Sequence, residues 1–319
     1  MSQGFAGRRV LVLGDVMLDK YLFAHAERMS SEAPLPIFEI LDIDCRPGGA
    51  GNVAANAASL GAEVRLAGVT GCDEDGGRLH AVLKELGVDT GWVVADPSRP
   101  TTTKSRLIAQ GKQVVRFDHE VRTEPDGHGS ERLRADLEAL VEWAEVCVVS
   151  DYAKGVVGAD LCRSLIAAAG RLGRAVVVDP KGADYGKYAG ADVLTPNLSE
   201  ALLACRRFEP PKTEEEVLEL GLELLSSCRA GAVLITRGPG GMSLVSADRQ
   251  CRHIPTRTQE VYDVTGAGDT VAAVLALGLA AGHPLELAAD LANHAAGVVV
   301  KKLGTALVNP AELRASYGV

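Results

Sequence analysis

Residues 46–69 read Arg46-Pro-Gly-Gly-Ala-Gly-Asn-Val-Ala-Ala-Asn56, then Ala57-Ala-Ser-Leu-Gly61, then Ala62 and the run EVRLAGV over 63–69. Apolar residues at helical spacing over 50–60 predict a helix, Gly61 marks its stop, and 63–69 is an apolar run of strand length. The same alternation repeats outward in both directions. Strand-length runs stand at 9–13 (RVLVL), 146–149, 175–178, 193–195 and 232–236. Helical spacing recurs at 76–86, 130–143, 159–172 and 213–225, with Gly87 and Gly173 as further stops. Strands buried on both faces and joined by crossover helices predict an α/β fold, a doubly wound and mostly parallel sheet flanked by helices.

Two stretches break this rhythm. Residues 36–44 (PIFEILDID) and 101–118 (TTTKSRLIAQGKQVVRFD) alternate with a period of two and are more polar, and Gln110-Gly111 stands where a hairpin should turn. They predict a small antiparallel β-sheet lid, built from two insertions at about 15–45 and 98–120 into a single domain spanning 1–319. Such a flap has one face to bury, so it covers a ligand or pairs with a second copy, and a homodimer through the lid is expected. The alternative is a decorated sheet edge with no role.

Composition narrows the function classes. The 319 residues are 47% hydrophobic and 24% charged, the balance of a globular protein. Lys plus Arg number 33 against 42 Asp plus Glu, a net charge of −9, which argues against a broad nucleic-acid footprint. The cysteines (Cys45, Cys72, Cys147, Cys162, Cys205, Cys228, Cys251) are odd in number, scattered and never in a C-x-x-C pair, so they read as reduced side chains rather than disulfides or a zinc site. No basic-then-apolar leader opens the chain, and no run approaches the roughly 18 apolar residues of a membrane span. The expected compartment is the cytoplasm, with no membrane partner.

The chemistry concentrates at Val261-Tyr-Asp-Val-Thr-Gly-Ala-Gly-Asp-Thr270, which runs directly into the apolar helical stretch 271–281. Gly266 and Gly268 let the chain turn tightly into a helix whose first N–H groups converge as an anion hole. Asp269 in that hole stands beside any bound phosphoryl group, where a general base must be to take a proton from an attacking hydroxyl. Spacing alone equally admits an ordinary helix N-terminus with Asp269 as its cap. The stretch Gly49-x-Gly51-x-x-Ala54 raises a dinucleotide-binding oxidoreductase, but no buried strand immediately precedes it, and the first strand ends in Gly14-Asp15 without a G-x-G turn. No Walker loop occurs either. Polar residues collect after successive strands: Asp15 and Asp19, Ser150-Asp151-Tyr152 with Lys154, Asp179-Pro-Lys181-Gly182, and Pro196-Asn197-Leu-Ser-Glu200. Each alone is a turn former; their repetition at strand ends points to an enzyme for a polar ligand.

With these residues in view, the chain resembles the ribokinase-like (PfkB) carbohydrate kinases from about residue 9 to 307. Three elements in order carry the resemblance: Pro47-Gly-Gly-Ala-Gly-Asn-Val-Ala54, Asn197-Leu-Ser-Glu200 and Asp263-Val-Thr-Gly-Ala-Gly-Asp269-Thr270. Within that family, Gly14-Asp-Val-Met-Leu-Asp19, Ser30-Ser-Glu-Ala-Pro-Leu-Pro36, Ser150-Asp-Tyr-Ala-Lys-Gly155 and Asp179-Pro-Lys-Gly182 are similar to kinases of D-glycero-β-D-manno-heptose 7-phosphate. The resemblance implies ATP-dependent phosphorylation of the anomeric hydroxyl to the 1,7-bisphosphate, on the route to ADP-heptose for lipopolysaccharide. It implies Asp269 as base, with the N–H groups of Gly266, Ala267 and Gly268 on the transferring phosphoryl group. Asn197 and Glu200 would organise Mg²⁺ through its waters.

The resemblance further implies a sugar site at Asp15, Gly49, Asn52 and Asn56, with Asp151 and Lys181 also on the substrate side. Lys104 and Arg106 are placed to reach the 7-phosphate, though strands also carry solvated charges. The adenine end is expected along Thr236, Gly238 and Gly241, with Val261 and Asn293 nearby. Asp263 and Thr265 resemble a loop for a monovalent cation such as K⁺, against the alternative of simply shaping the turn. Many relatives are fused to a nucleotidylyltransferase with an H-x-G-H motif, which this sequence lacks, so a stand-alone kinase with a separate nucleotidylyltransferase is expected. A non-catalytic sugar-binding regulator would keep the fold and lose the base, yet Asp269 and Glu200 are both present.

Overall fold

The computed structural model describes residues 4–125, 127–257 and 260–318. Its larger sheet has nine strands. They are β1 (Arg9–Gly14), β4 (Glu63–Gly71), β5 (Val88–Asp96), β8 (Val146–Ser150), β9 (Ala175–Asp179), β10 (Val193–Leu194), β11 (Ala232–Thr236), β12 (Met242–Ser246) and β13 (Cys251–Ile254). Their order is β13-β12-β11-β10-β9-β8-β1-β4-β5. Every pairing from β11 to β5 is parallel, and β12 and β13 add an antiparallel edge. The run Val10–Leu13 is buried on both faces, as the centre of a covered parallel sheet requires.

Helices cover both faces. On one lie α1 (Ala50–Ser59), α7 (Ala267–Ala280) and α8 (Leu285–Val299), packed into a single apolar cluster with β1 and β4. On the other lie α3 (Gly127–Trp143), α4 (Ala159–Leu172) and α6 (Glu214–Cys228). Helices α2 (Glu74–Glu85), α5 (Leu198–Ala204) and α9 (Pro310–Ser316) complete the described α-helices. Helix α7 is buried all round, from Asp269 to Gly278, which its nearly all-apolar sequence permits. The first turn of this central helix therefore stands at the edge where the parallel strands end.

The second sheet is the lid. Strands β2 (Val16–Met29) and β3 (Pro36–Gly49) leave after β1 and return into α1, while β6 (Thr103–Ala109) and β7 (Lys112–His119) leave after β5. Their order is β3-β2-β6-β7, with antiparallel pairings outside and a parallel β2–β6 pairing in the middle. Gln110 and Gly111 both adopt positive φ and form the two-residue hairpin turn expected between β6 and β7. Asp19 lies within β2 rather than in a loop after the first strand. Because strand side chains alternate, the lid has two faces. One carries the cross-strand rows Arg46–Asp19–Lys104–Asp118 and Asp44–Tyr21–Arg106–Arg116, and the other carries Ile43–Leu22–Leu107–Val115.

Candidate active site

Strands β1, β8, β9, β10 and β11 are neighbours and parallel, so their C-terminal ends line one edge of the sheet, where open α/β sheets bind ligands. A cavity of about 170 Å³ opens there, lined by Asp151, Tyr152, Asp179, Lys181, Thr195, Asn197, Glu200, Thr236 and Gly268. Helix α7 ends against it. Its N-cap Gly266 has φ +78°, and a Cβ there would sit 2.5 Å from Asn52 Nδ2, so the turn and the close approach both demand glycine. No side chain caps α7, which leaves its N-terminus presenting backbone N–H groups and the positive end of the helix dipole.

Asp269, buried in the first turn of α7, accepts hydrogen bonds from Asn52 Nδ2 at 2.8 Å and from the Tyr152 hydroxyl at 2.7 Å. Burial pushes its carboxyl up to about 7, against the pull of those two bonds, and nearby Asp19 pushes the same way as burial. It is not a cap of its own helix. A buried carboxylate that titrates near neutrality, at an anion-binding helix end, can take a proton and return it. Asp179, at the end of β9, is pushed well above the ordinary carboxylate range by burial and by the charges of Asp269 and Glu200.

Each expected residue has a definite place. Asn52 touches Asp269 directly, whereas Asn56 donates to the Asn52 backbone and side-chain oxygens and so supports it from behind. Gly49 has φ +56° and lies against the Asp15 carbonyl, closing the lid back onto the sheet. Asp15 is committed to the backbone, since its carboxylate accepts N–H groups from Tyr152, Lys154 and Val156. The buried lid carboxylate near Asp269 is instead Asp19, which accepts from Arg106 at 2.8 Å. Arg106 also stacks over Tyr21, with Arg46 over the same ring, and the Tyr21 oxygen accepts the Thr305 N–H. Lys104 lies 3.6 Å from Asp118 on the same face.

On the side where a nucleotide is expected, Asn197 and Glu200 form a capping box at the start of α5, and Glu200 also accepts from Lys181 Nζ at 2.6 Å. Asp151 is buried and accepts from Tyr188, Ala153 and the Lys187 ammonium. Thr236 lines the cavity. Gly238 and Gly241 bound the turn after β11, Val261 is exposed, and Asn293 donates to the Pro255 carbonyl; none of these four lines the cavity. Asp263 accepts from Thr265 and from the Gly304 N–H, bonds that outweigh its partial burial and hold it below the usual carboxylate range. The cation fit differs between the two loops. Asp179 and Glu200 supply hard oxygen donors of the type Mg²⁺ prefers, but among the described residues no three acidic, His or Cys side chains converge as a cage, so an ion held there would take most of its ligands from a bound ligand and water. Beside Asp263, the buried Thr305 hydroxyl oxygen has no hydrogen-bond partner, an oxygen donor suited to a monovalent cation. Sequence reading missed Asp19 as the lid carboxylate, Tyr152 as a partner of Asp269, and Asp179; all three stand in quoted strand-end motifs, but only the fold shows which way they point.

Residues 8–312 match the family model described as pfkB family carbohydrate kinase. The bifunctional protein HldE of Geotalea uraniireducens is 47% identical over 310 residues, which are 97% of this chain and 63% of that protein. HldE of Shewanella denitrificans is 46% identical over 313 residues, with the same coverage. The chain thus spans about 63% of the length of these curated relatives. Among solved structures, phosphofructokinase-2 of Escherichia coli in complex with potassium superposes with a TM-score of 0.79 at 20% identity, covering 98% of each chain. Ribokinase of Arabidopsis thaliana complexed with ribose and ATP gives 0.75 at 19% identity, covering 98% of this chain and 99% of that one. These likenesses show the ribokinase-like fold, and the match over nearly the whole sequence shows that the chain belongs to the pfkB family of carbohydrate kinases.

Proposed function

We propose that this sugar kinase transfers the γ-phosphoryl group of ATP to O1 of D-glycero-β-D-manno-heptose 7-phosphate, in the cytoplasm, on the route to ADP-heptose. The observation that carries the chemistry is Asp269: a buried carboxyl titrating near 7 at the uncapped N-terminus of α7. In this reading the O1–H proton passes to Asp269 as the O1–phosphorus bond forms and the bond from the γ-phosphorus to the ADP oxygen breaks. The N–H groups of 266–268 take the charge on the transferring oxygens. Mg²⁺, when bound through Glu200, Asn197 and water, neutralises phosphate charge. K⁺ belongs to the 263–265 loop, supported by the Asp263 carboxylate and the Thr305 hydroxyl.

The choice of heptose rests on the motifs at 14–19, 30–36, 150–155 and 179–182 and on the similarity to HldE proteins. Lys104 and Arg106 are the cations proposed for the 7-phosphate, on the same lid face as Asp19. The opposite lid face exposes Ile43, Val115 and Phe117, which supports pairing of two copies through the lid. The test is a substrate panel with ATP, scored by ADP release, with heptose 7-phosphate, fructose 6-phosphate and ribose. Heptose 7-phosphate should give the highest kcat/KM; a clear preference for either other sugar refutes the assignment.

A further inference from the structure

The loop that follows β8 is held far more firmly than a connection requires. Asp15 accepts three of its N–H groups, from Tyr152, Lys154 and Val156, at 2.8–3.1 Å. Asp151 accepts the Ala153 N–H and the Tyr188 hydroxyl, each at 2.7 Å, and pairs with Lys187. Both carboxylates are buried, and Ala153 is kept at φ +54°, a conformation that persists in a non-glycine residue only where the surroundings enforce it. The side chain that this clamped loop presents to the site is Tyr152, whose hydroxyl reaches Asp269 Oδ1 at 2.7 Å, opposite the Asn52 bond to Oδ2.

We propose that Tyr152 is a positioning residue for phosphoryl transfer: its hydroxyl fixes the rotation of the Asp269 carboxylate and favours its ionised form. The inference rests on the reading of Asp269 as the base. A carboxylate held by one donor on each oxygen cannot turn, yet each oxygen keeps a second lone pair for the sugar hydroxyl. The titratable groups facing Asp269 are Asp19 from β2, Asp179 from the end of β9 and Tyr152 itself. Burial above all, and Asp19, oppose its ionisation, and the bonds from Asn52 and Tyr152 are the influences that favour it.

The test is the pH dependence of kcat/KM for wild type, Tyr152→Phe and Asp269→Asn, with ATP and heptose 7-phosphate. Losing one donor to a charged group should move the acid limb of Tyr152→Phe upward by about one to two pH units. Activity should then fall about 5- to 50-fold at pH 7 and return toward wild type by about pH 9–10. Replacement of Tyr152 by 3-fluorotyrosine, almost the same shape and a stronger donor, should move the limb the opposite way. It also guards against a Phe variant that fails to fold. A Tyr152→Phe profile that falls evenly at all pH values, or fluorotyrosine that leaves the limb in place, overturns the role of Tyr152 while an inactive Asp269→Asn keeps the base. An active Asp269→Asn overturns both.

Discussion

The buried charges of the sheet edge and those of the lid lie on two sides of one site and are built on opposite terms. At the sheet edge Asp15 and Asp269 are buried and Asp179 is half-buried, and desolvation together with neighbouring carboxylates raises all three above the ordinary range. On the lid and at its foot, acids are matched to bases: Asp19 to Arg106, Asp118 to Lys104, Asp44 to Arg46 and Glu120 to Lys154. The first arrangement costs stability and leaves Asp269 able to exchange a proton near neutral pH; the second holds the lid in a defined shape. Reactivity and placement are thus assigned to different parts of the molecule.

The sharpest way to break this comparison is Asp269→Asn. The amide keeps the shape, donating to the Tyr152 oxygen while its own oxygen accepts from Asn52, but it takes no proton. We expect kcat to fall by about 10²–10⁴ with ATP binding retained. Stability should move the other way. Asp269 is raised from 3.8 to about 7, so the folded state binds the proton more tightly, and stability is lost as pH rises through that window. Removing the group should raise stability at pH 8 by up to about 4 kcal/mol, read by chemical denaturation. A variant less stable than wild type at that pH would show that the sheet-edge carboxyl is not under strain.

On the lid the expected sign reverses, because there the charge is paired. Arg106→Ala strands Asp19 in a buried position, at a cost of about 3–5 kcal/mol. If Arg106 also meets the 7-phosphate, kcat/KM for heptose 7-phosphate falls about 10- to 150-fold while an unphosphorylated sugar is almost unaffected. Equal losses on both substrate types would confine Arg106 to holding Asp19.

Much of the sheet edge was legible in the sequence because its signals are local. A run such as RVLVL needs no partner to read as a buried strand, and Gly266 and Gly268 announce a tight entry into a helix wherever they stand. The Gln110-Gly111 turn was legible for the same reason. The lid was harder. Strand β2 hides because its site-facing positions are Asp19 and Tyr21, so the apolar alternation that marks a strand is absent where the strand does its work. Its parallel pairing with β6 joins segments more than eighty residues apart, which spacing cannot reveal. Spacing around Asp15, read as a sugar-side residue, does not reveal that a loop 137 residues downstream brings its N–H groups to the Asp15 carboxylate. Asn197 and Glu200 satisfy a cap as well as a functional motif, and sequence holds both meanings at once.

The smallest effect tests how the lid is fastened. Asp73 is the N-cap of α2, accepting the Gly76 N–H at 2.9 Å, and the same carboxylate accepts the backbone N–H and the hydroxyl of Thr101 at 2.8 and 2.6 Å. Thr101 stands two residues before β6, so one carboxylate joins a helix of the main body to the base of the second lid insertion. Its slight burial pushes the carboxyl up, but the bonds from Thr101 and Gly76 outweigh that and hold it below 3.8. The stabilisation is therefore fully present above the ordinary carboxylate range and is lost as pH falls through the lowered value. Asp73→Ala should cost about 1–2 kcal/mol at pH 7, seen as a lower urea midpoint, with kcat within about two-fold of wild type. Between pH 7 and 5 the difference from wild type should stay constant, and below about pH 4 it should shrink. A difference that persists unchanged into acid would assign the effect to lost helix propensity or packing rather than to the ionised clasp, and would leave the lid attached by its strands alone.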